Sequence, residues 1–460
     1  IFSALAFGTF MGTLDGSITN IALPTIAAEL HLPNVALASW VTLAYLLTSG
    51  SLFLLFGRLG ELVGGKGIYL GGMGVFTFGS LLCSLAPSFP LLLASRVLQA
   101  VGSAMILAIG PAILTASFPA RQRGQALGLN SAIVSAGLAA GPTFGGILIQ
   151  SLSWRSIFWI NLPIGVLGIV WAWRLLPEQP ARPSRGFDVP GTVLLSSSLL
   201  SILLATTEGQ TWGWRSAPTL GCYAVGLVLL AAFVARELST RDPLLELRLF
   251  RIRAFSVGNA SAFLSFVALA AASFLMPFFL VQGQGRTSEL AGYMLTATSI
   301  GIAAAAPLSG ALSDRFDTRV FGALGMGIVA VSNFWLARLG IDAGTPAIVA
   351  ALFLTGAGNG MFQSPNSSVV MGSVGREKLG TAAGMRASMR TLGQVVGIAM
   401  AGAVVASQRP VHLDQLVAAH AGGSSLQSLA LIASIHDAIH VSLVCAILAL
   451  VTSLVRGRPP

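Results

Sequence analysis

The sequence predicts an all-α integral membrane protein with fourteen transmembrane helices, and three observations carry that expectation. Apolar residues make up 54% of the 460 positions and charged residues only 9%. A soluble domain carries about 25% charged residues, so this chain has too little polar surface to stay dispersed in water. Fourteen windows are apolar enough to cross a bilayer, which takes roughly 20 residues each. The Lys and Arg residues sit in short clusters between those windows, rich in one loop and poor in the next.

The windows run over about 3–28, 37–57, 68–87, 89–115, 126–150, 156–176, 190–209, 217–236, 254–282, 289–312, 320–338, 346–371, 380–407 and 434–455. Of the 26 Lys and Arg residues, Arg96, Arg386 and Arg390 lie within spans, and Arg155, Arg215, Arg286, Arg338 and Arg409 fall in loops on one side. All the others fall on the opposite side. Basic loops face the cytoplasm, so both termini are expected there, and an odd number of spans would scramble the pattern. The net charge of +10 therefore reports orientation. No stretch resembles a basic groove with stacking aromatics, so nucleic acid is not an expected partner. Cys83, Cys222 and Cys445 all lie inside apolar windows with no metal or disulfide spacing, and read as small buried apolar residues. The first window holds an acid and no cleavage-site pattern, so it reads as a retained helix and not a signal peptide.

The longest cytoplasmic linkers, 177–189 and 237–253, bracket the seventh and eighth spans. This predicts a six-helix bundle over 1–176, linkers with an inserted helix pair over 177–253, and a second six-helix bundle over 254–460. Residues 408–433, with Arg409, Pro410, His412, Asp414 and His420, read as an outside loop. A weak repeat supports two related halves: Gly57-Arg58-Leu59-Gly60-Glu61 follows the second span, and Gly310-Ala311-Leu312-Ser313-Asp314-Arg315 follows the tenth. Repeated halves are characteristic of alternating-access transporters.

Several residues ask for chemistry. Asp15 falls near the middle of the first span, where a carboxylate costs about 2.5–3.5 kcal/mol on insertion scales, so it must face a cavity or a partner. It is either a group that holds a proton or a cation, or one arm of a fixed salt bridge or cap. Arg96 is permanently charged and needs acceptors; Asp15 and Gln99 are the candidates, and spacing of three puts Arg96 and Gln99 on one helix face. Such an Arg holds Asp15 as carboxylate until movement separates them, or else is purely structural. Gly137, Gly141 and Gly145 recur every four residues, giving a smooth face that admits another helix, and Pro142 kinks the span. Asn359, Gln363 and Asn366 share one face of the twelfth span and are expected to line the pathway. Arg386 and Arg390 stack one turn apart and either bind an anionic group or reach the interface by snorkelling. Glu208, beside Trp212 and Trp214, reads as interfacial, and the His436/His440 pair with Asp437 as structural. No Gly-x-Gly-x-x-Gly follows a strand and no Walker loop exists, so neither an enzyme nor a cofactor is expected.

Four segments carry a resemblance that covers essentially the whole chain. They are Leu14-Asp15-Gly16-Ser17-Ile18-Thr19-Asn20-Ile21-Ala22-Leu23-Pro24, Gly57 to Lys66, Arg96-Val97-Leu98-Gln99 onward to Ala104, and Gly137 to Gly146. Together they resemble the major facilitator superfamily, and within it the fourteen-helix drug:proton antiporters. The resemblance implies the major facilitator fold: two six-helix bundles with an inserted pair. It implies a functional monomer in a bacterial inner membrane that exports amphipathic or lipophilic molecules against inward proton flow.

Asn20, Asn359, Gln363, Asn366, Arg386 and Arg390 are expected at the substrate cavity, and the same resemblance makes Asp15, Arg96 and Gln99 the coupling group. It makes Gly57, Glu61, Gly64, Lys66, Asp314 and Arg315 parts of a cytoplasmic latch. Gly137, Gly141, Pro142, Gly145 and Gly146 form the motif associated with antiport. The chain departs from the family pattern at Glu61, Leu62 and Gly65 in the latch, and at Arg386 and Ala387. Trp154-Arg155 and Asn161-Leu162-Pro163 also match and are expected to serve structure at the outer ends of the fifth and sixth spans. A proton-independent lipid or metabolite transporter on the same scaffold is the alternative; a channel or a membrane enzyme fits less well.

Overall fold

A computed structural model describes residues 1–117, 123–178, 188–213, 215–240, 247–313, 318–374, 379–418 and 426–455. Among them the chain is helical, with no strand. The helices are α1 (Phe2–Glu29), α2 (Val35–Val63), α3 (Gly65–Leu85), α4 (Phe89–Ser117), α5 (Arg123–Ser151), α6 (Ser156–Trp159), α7 (Asn161–Leu175) and α8 (Val189–Trp212). They continue with α9 (Ala217–Ser239), α10 (Arg253–Phe278), α11 (Ser288–Ser313), α12 (Thr318–Leu336), α13 (Thr345–Gly372), α14 (Leu379–Ala418) and α15 (Leu426–Val455). Helices are what a bilayer demands, because each satisfies its own backbone groups where no water can.

Among the described residues, 11 helices are long and apolar enough to cross a membrane. That is fewer than the fourteen windows. Helix α1 is outside this set because Asp15 and its Gly, Thr, Ser and Asn residues dilute its apolar character. Helix α8 offers only the shorter apolar stretch Pro190–Thr206. The spanning helices carry exposed apolar side chains such as Trp173, Val228, Leu308 and Leu448, which lipid solvates without penalty.

Two local features differ from the expected windows. The sixth window is broken: α6 ends at Trp159, and α7 begins at Asn161. Pro163 explains the break, because it has no N–H to give to the carbonyl four residues back. The expected outside loop over 408–433 is a correction of a different kind. Helix α14 runs for 40 residues through Pro410 to Ala418, and α15 begins at Leu426. A helix does not have to stop where its apolar run stops. Arg409, His412, Asp414 and Gln415 end the hydropathy signal, but not the backbone hydrogen bonding. His412 then pairs with Asp437 on α15 at 2.7 Å.

The chain divides into two compact units: Ile1–His31, Trp40–Ser201 and Val225–Leu244 in the first, and Leu32–Ser39, Ile202–Ala224 and Leu245–Pro460 in the second. In the first, Leu5, Met11, Tyr69, Met73, Phe76 and Ile106 form a continuous apolar core among α1, α3 and α4. The Tyr69 hydroxyl ties α3 to α1 by donating to the Leu5 carbonyl at 3.2 Å. In the second unit, Ala268, Met326, Val329, Phe362 and Ala446 pack together.

Neutral hydrogen bonds add to this packing. Asn333 Nδ2 donates to Ser442 Oγ at 2.9 Å, and Ser442 Oγ donates to the Ala268 carbonyl at 3.0 Å, so one hydroxyl joins α10, α12 and α15. In a bilayer such bonds matter because the apolar alternative partner, lipid, gives no hydrophobic gain. Replacing Ser442 by Ala strands the Asn333 amide. The variant is expected to lose about 1 kcal/mol of stability, read as a lowered unfolding midpoint of purified protein. An unchanged midpoint would remove this relay from the second unit's support.

Candidate functional site

Asp15 lies on α1 with no exposed surface, and so do Arg96 and Gln99 on α4. Arg96 Nη1 donates to Asp15 Oδ2 at 2.7 Å and to Gln99 Oε1 at 2.5 Å. Gln99 Nε2 donates to Asp15 Oδ1 at 2.8 Å and to Ser80 Oγ on α3 at 2.7 Å. Arg96 Nε reaches the Val41 carbonyl of α2 at 3.1 Å. The guanidinium also stacks on Tyr45, 4.3 Å from the ring centroid, and lies 5.6 Å from that of Phe158. Tyr45 is itself fixed by donating to Ser103 Oγ at 2.6 Å.

The three residues expected to form one group therefore do so. Both carboxylate oxygens of Asp15, and Nε and Nη1 of Arg96, find partners, which offsets the cost of burying charge. Asp15 receives hydrogen bonds only from donors. Removing either charge from such a pair costs about 3–5 kcal/mol because the other is left uncompensated.

Sequence reasoning missed Ser80 on α3 and did not connect Asn161 with the carboxylate. Asn161, the first residue of α7, has no exposed surface and donates from Nδ2 to Asp15 Oδ1 at 3.0 Å and to Ser80 Oγ at 3.3 Å. Its own Oδ1 has no hydrogen-bond partner. Asn161 does lie at a helix end, where a role in structure more than chemistry is expected, and the break at Ile160 turns that end toward the carboxylate. The available signal was a lone amide inside an apolar run, two residues before a proline. Its neighbours behave as expected. Trp154 Nε1 donates to Glu29 Oε2 at 2.7 Å, Arg155 pairs with Glu29, and the Arg155 guanidinium lies 4.3 Å from the Trp154 ring centroid.

The glycine row of α5 explains how α1 is held. Gly137, Gly141 and Gly145 are buried against α1, facing Thr13, Ser17 and the pair Ile18 and Ile21 in turn. A Cβ at Gly137 or Gly141 would collide with the Thr13 or Ser17 hydroxyl, and one at Gly145 would press on Ile18 and Ile21. Ser17 Oγ donates across the contact to the Gly137 carbonyl at 3.2 Å. Gly146 is buried too, and Pro142 is half-buried inside the helix. This row therefore packs on the very helix that carries Asp15.

The remaining expected residues are more scattered. Asn20 is half-buried on α1 and accepts from Thr42 Oγ1 at 3.4 Å. On α13, Asn359 and Asn366 are buried and Gln363 is half-buried; Asn359 Nδ2 turns back to the Thr355 carbonyl at 3.0 Å. On α14, Arg386 is half-buried and Arg390 exposed, and neither has a carboxylate partner among the described residues. Glu208 on α8 is half-buried and Trp212 exposed, while Trp214 lies outside the described residues.

In the segment expected to form the latch, Gly57 has open space around it and Lys66 is half-buried. Gly64 has φ +96° and precedes α3, a conformation that glycine adopts without strain. The side chain of Glu61, and Asp314 and Arg315 entirely, lie outside the described residues. His436 Nε2 lies 2.9 Å from the Leu339 carbonyl, and no cluster of three or more metal-ligating side chains occurs among the described residues.

The glycine row yields a paired test. Gly141→Ala is expected to destabilise the protein by about 1–3 kcal/mol through overpacking. Gly16→Ala, on the same α1 helix but with nothing within 4 Å of its added Cβ, is expected to change stability little. Equal unfolding midpoints for the two would sink the close α1–α5 contact.

The sequence profile of the Major Facilitator Superfamily matches residues 5–397. The chain is 35% identical over 397 residues to the riboflavin transporter RibZ of Clostridioides difficile, covering 86% of this chain and 85% of that one. It is 33% identical over 408 residues to the methylenomycin A resistance protein of Streptomyces coelicolor, covering 88% and 85%. Among solved structures, a bacterial homologue of the human lysosomal transporter Spinster superimposes with TM-score 0.69 at 18% identity, covering 100% of this chain and 96% of that one, which speaks to fold alone.

Proposed function

The chain belongs to the major facilitator superfamily, a family of membrane transporters and not of enzymes, and we propose that it is a proton-coupled antiporter exporting amphipathic or lipophilic small molecules. The observation that carries this reading is the Asp15–Arg96 pair, fully enclosed within one unit, its carboxylate met by protein donors and its guanidinium by protein acceptors. With Asp15 ionised the cluster is neutral. With Asp15 protonated, Arg96 becomes an uncompensated charge in a low-dielectric surrounding. The two protonation states therefore favour different arrangements, which is the condition for coupling proton binding to a conformational equilibrium. The proton binds to the Asp15 carboxylate, the Arg96 contact loosens, and release of the proton on the other side restores it.

Export as the direction is supported by the α5 glycine row and by relatives such as the methylenomycin A resistance protein. The distribution of Lys and Arg supports cytoplasmic termini and a bacterial plasma membrane setting. We take the functional unit to be a monomer with six-helix halves over 1–176 and 254–460, and the latch to involve Gly57, Glu61, Gly64, Lys66, Asp314 and Arg315. Asn20, Asn359, Gln363, Asn366, Arg386 and Arg390 are the proposed cavity residues. The second reading is a proton-independent lipid or metabolite transporter on the same scaffold, and the resemblance to the riboflavin transporter RibZ supports its metabolite side.

Proteoliposomes separate these readings. An imposed pH gradient is expected to drive uphill substrate movement by the wild type with measurable proton counterflow. Asp15→Asn is expected to retain substrate-for-substrate exchange, to lose the pH-driven component by at least about 100-fold, and to unfold more readily because Arg96 loses its counter-charge. Undiminished pH-driven transport in Asp15→Asn would remove Asp15 from the mechanism. Substrate movement with no proton flux in the wild type would favour the second reading.

A further inference from the structure

The hydrogen-bond pattern around Asp15 is complete for one protonation state only. Arg96 Nη1, Gln99 Nε2 and Asn161 Nδ2 all donate to the carboxylate. A protonated carboxyl group is itself a donor and needs an acceptor. Arg96 has none to offer. Gln99 Oε1 already accepts from Arg96 at 2.5 Å. Ser80 Oγ already receives both Gln99 and Asn161. One acceptor in the cluster is idle: Asn161 Oδ1, fully buried and without a hydrogen-bond partner. An unsatisfied amide oxygen in an enclosed site is costly, and its presence beside the only group that needs an acceptor in the other state gives it a use.

Resting on the reading of Asp15 as the exchange carboxylate, we propose that Asn161 is the positioning residue that accepts the Asp15 carboxyl hydrogen once that acid is protonated, its amide turning so that Oδ1 replaces Nδ2 against the carboxyl. No bond in Asn161 is made or broken. The incoming proton forms the O–H bond on Asp15, and that O–H donates to Oδ1. The turn needs rotation about one side-chain bond at the start of α7, next to the break at Ile160. The charged and titratable groups facing Asp15 are Arg96 from α4, Tyr45 from α2 and Cys83 from α3. Helix α5 offers glycines on the other face of α1, and α6 and α7 offer Phe158 and Asn161.

The two roles open to Asn161 predict opposite signs. If it only donates to the carboxylate, its removal weakens the ionised form, and Asp15 takes up a proton at higher pH. If it also accepts from the protonated form, its removal leaves the carboxyl hydrogen stranded, while Arg96 and Gln99 still hold the carboxylate, and more acid is needed.

The experiment is infrared difference spectroscopy of the purified full chain in lipid nanodiscs during a pH titration. The protonated-carboxyl band absent from Asp15→Asn identifies Asp15. The midpoint is expected to fall by about one pH unit in Asn161→Ala, and by less in Asn161→Ser, whose hydroxyl can still accept. An unchanged or raised midpoint in Asn161→Ala overturns the proposal. Should that variant fail to fold, an unchanged or raised midpoint in Asn161→Ser does the same, and so does a wild-type Asp15 band that never appears. The readout is independent of transport. A wild type that moves no protons would defeat the antiport reading while leaving this result standing.

Discussion

The ion pair between Asp15 and Arg96 is the constraint to which the rest of the first unit answers. Two charges removed from water return their solvation cost only if every polar arm is met in place. That requirement reaches into α2 through the Val41 carbonyl and the Tyr45 ring, into α3 through Ser80, and into the α6–α7 break through Phe158 and Asn161. Close backbone approach makes this possible. A Cβ at Gly79 would run into the Gln99 backbone, so α3 can lie near enough for Ser80 to meet the Gln99 amide. The small residues and the charged pair are therefore one arrangement.

The pair was legible in the sequence because membrane interiors leave charges few options. A lone acid in one apolar run and a lone base in another must find each other or a cavity, and a glutamine three residues from the base shares its face. Neutral polar residues give no such compulsion. Ser80 and Asn161 are each content with a backbone carbonyl or with lipid-interface water, so only the register between helices shows that Asn161 reaches Asp15 and that Ser80 accepts from Gln99 and Asn161. The break that aims Asn161 was encoded by Pro163, but a kink's direction is a tertiary outcome. Helix α14 outruns its apolar window for another reason. Hydropathy reports where lipid ends, whereas helix length reports where backbone hydrogen bonding ends, and these differ wherever a helix leaves the bilayer still intact.

The second unit is built on different chemistry. Its fully buried polar side chains among the described residues are uncharged: Asn333 with Ser442, Ser332 with Thr355 at 2.8 Å, and Asn359 with the Thr355 carbonyl. None of these bonds involves a group that titrates at physiological pH, whether it joins two helices, as Asn333 with Ser442 does, or lies within α13, as Asn359 with Thr355 does. Protonation thus has one enclosed ion pair to act upon among the described residues, and it lies in the first unit.

Where that action is felt follows from which contacts can yield. Helix α1 is pinned along three turns by the α5 glycine row, and side-chain atoms of Thr13, Ser17, Ile18 and Ile21 fill the space that any rotation would need. Close-packed helices do not slide continuously; they hold one arrangement or exchange it for another. Asp15 is consequently a fixed point, and a change in its charge must be answered by its partners. Arg96 is clamped by two aromatic rings and a carbonyl, and Gln99 by Arg96 and Ser80. Asn161 stands at the one place near the carboxylate where the backbone ladder is already interrupted. The least constrained partner is the one able to present either a donor or an acceptor, so the amide at the start of α7 is the element through which the charge on α1 can first be read.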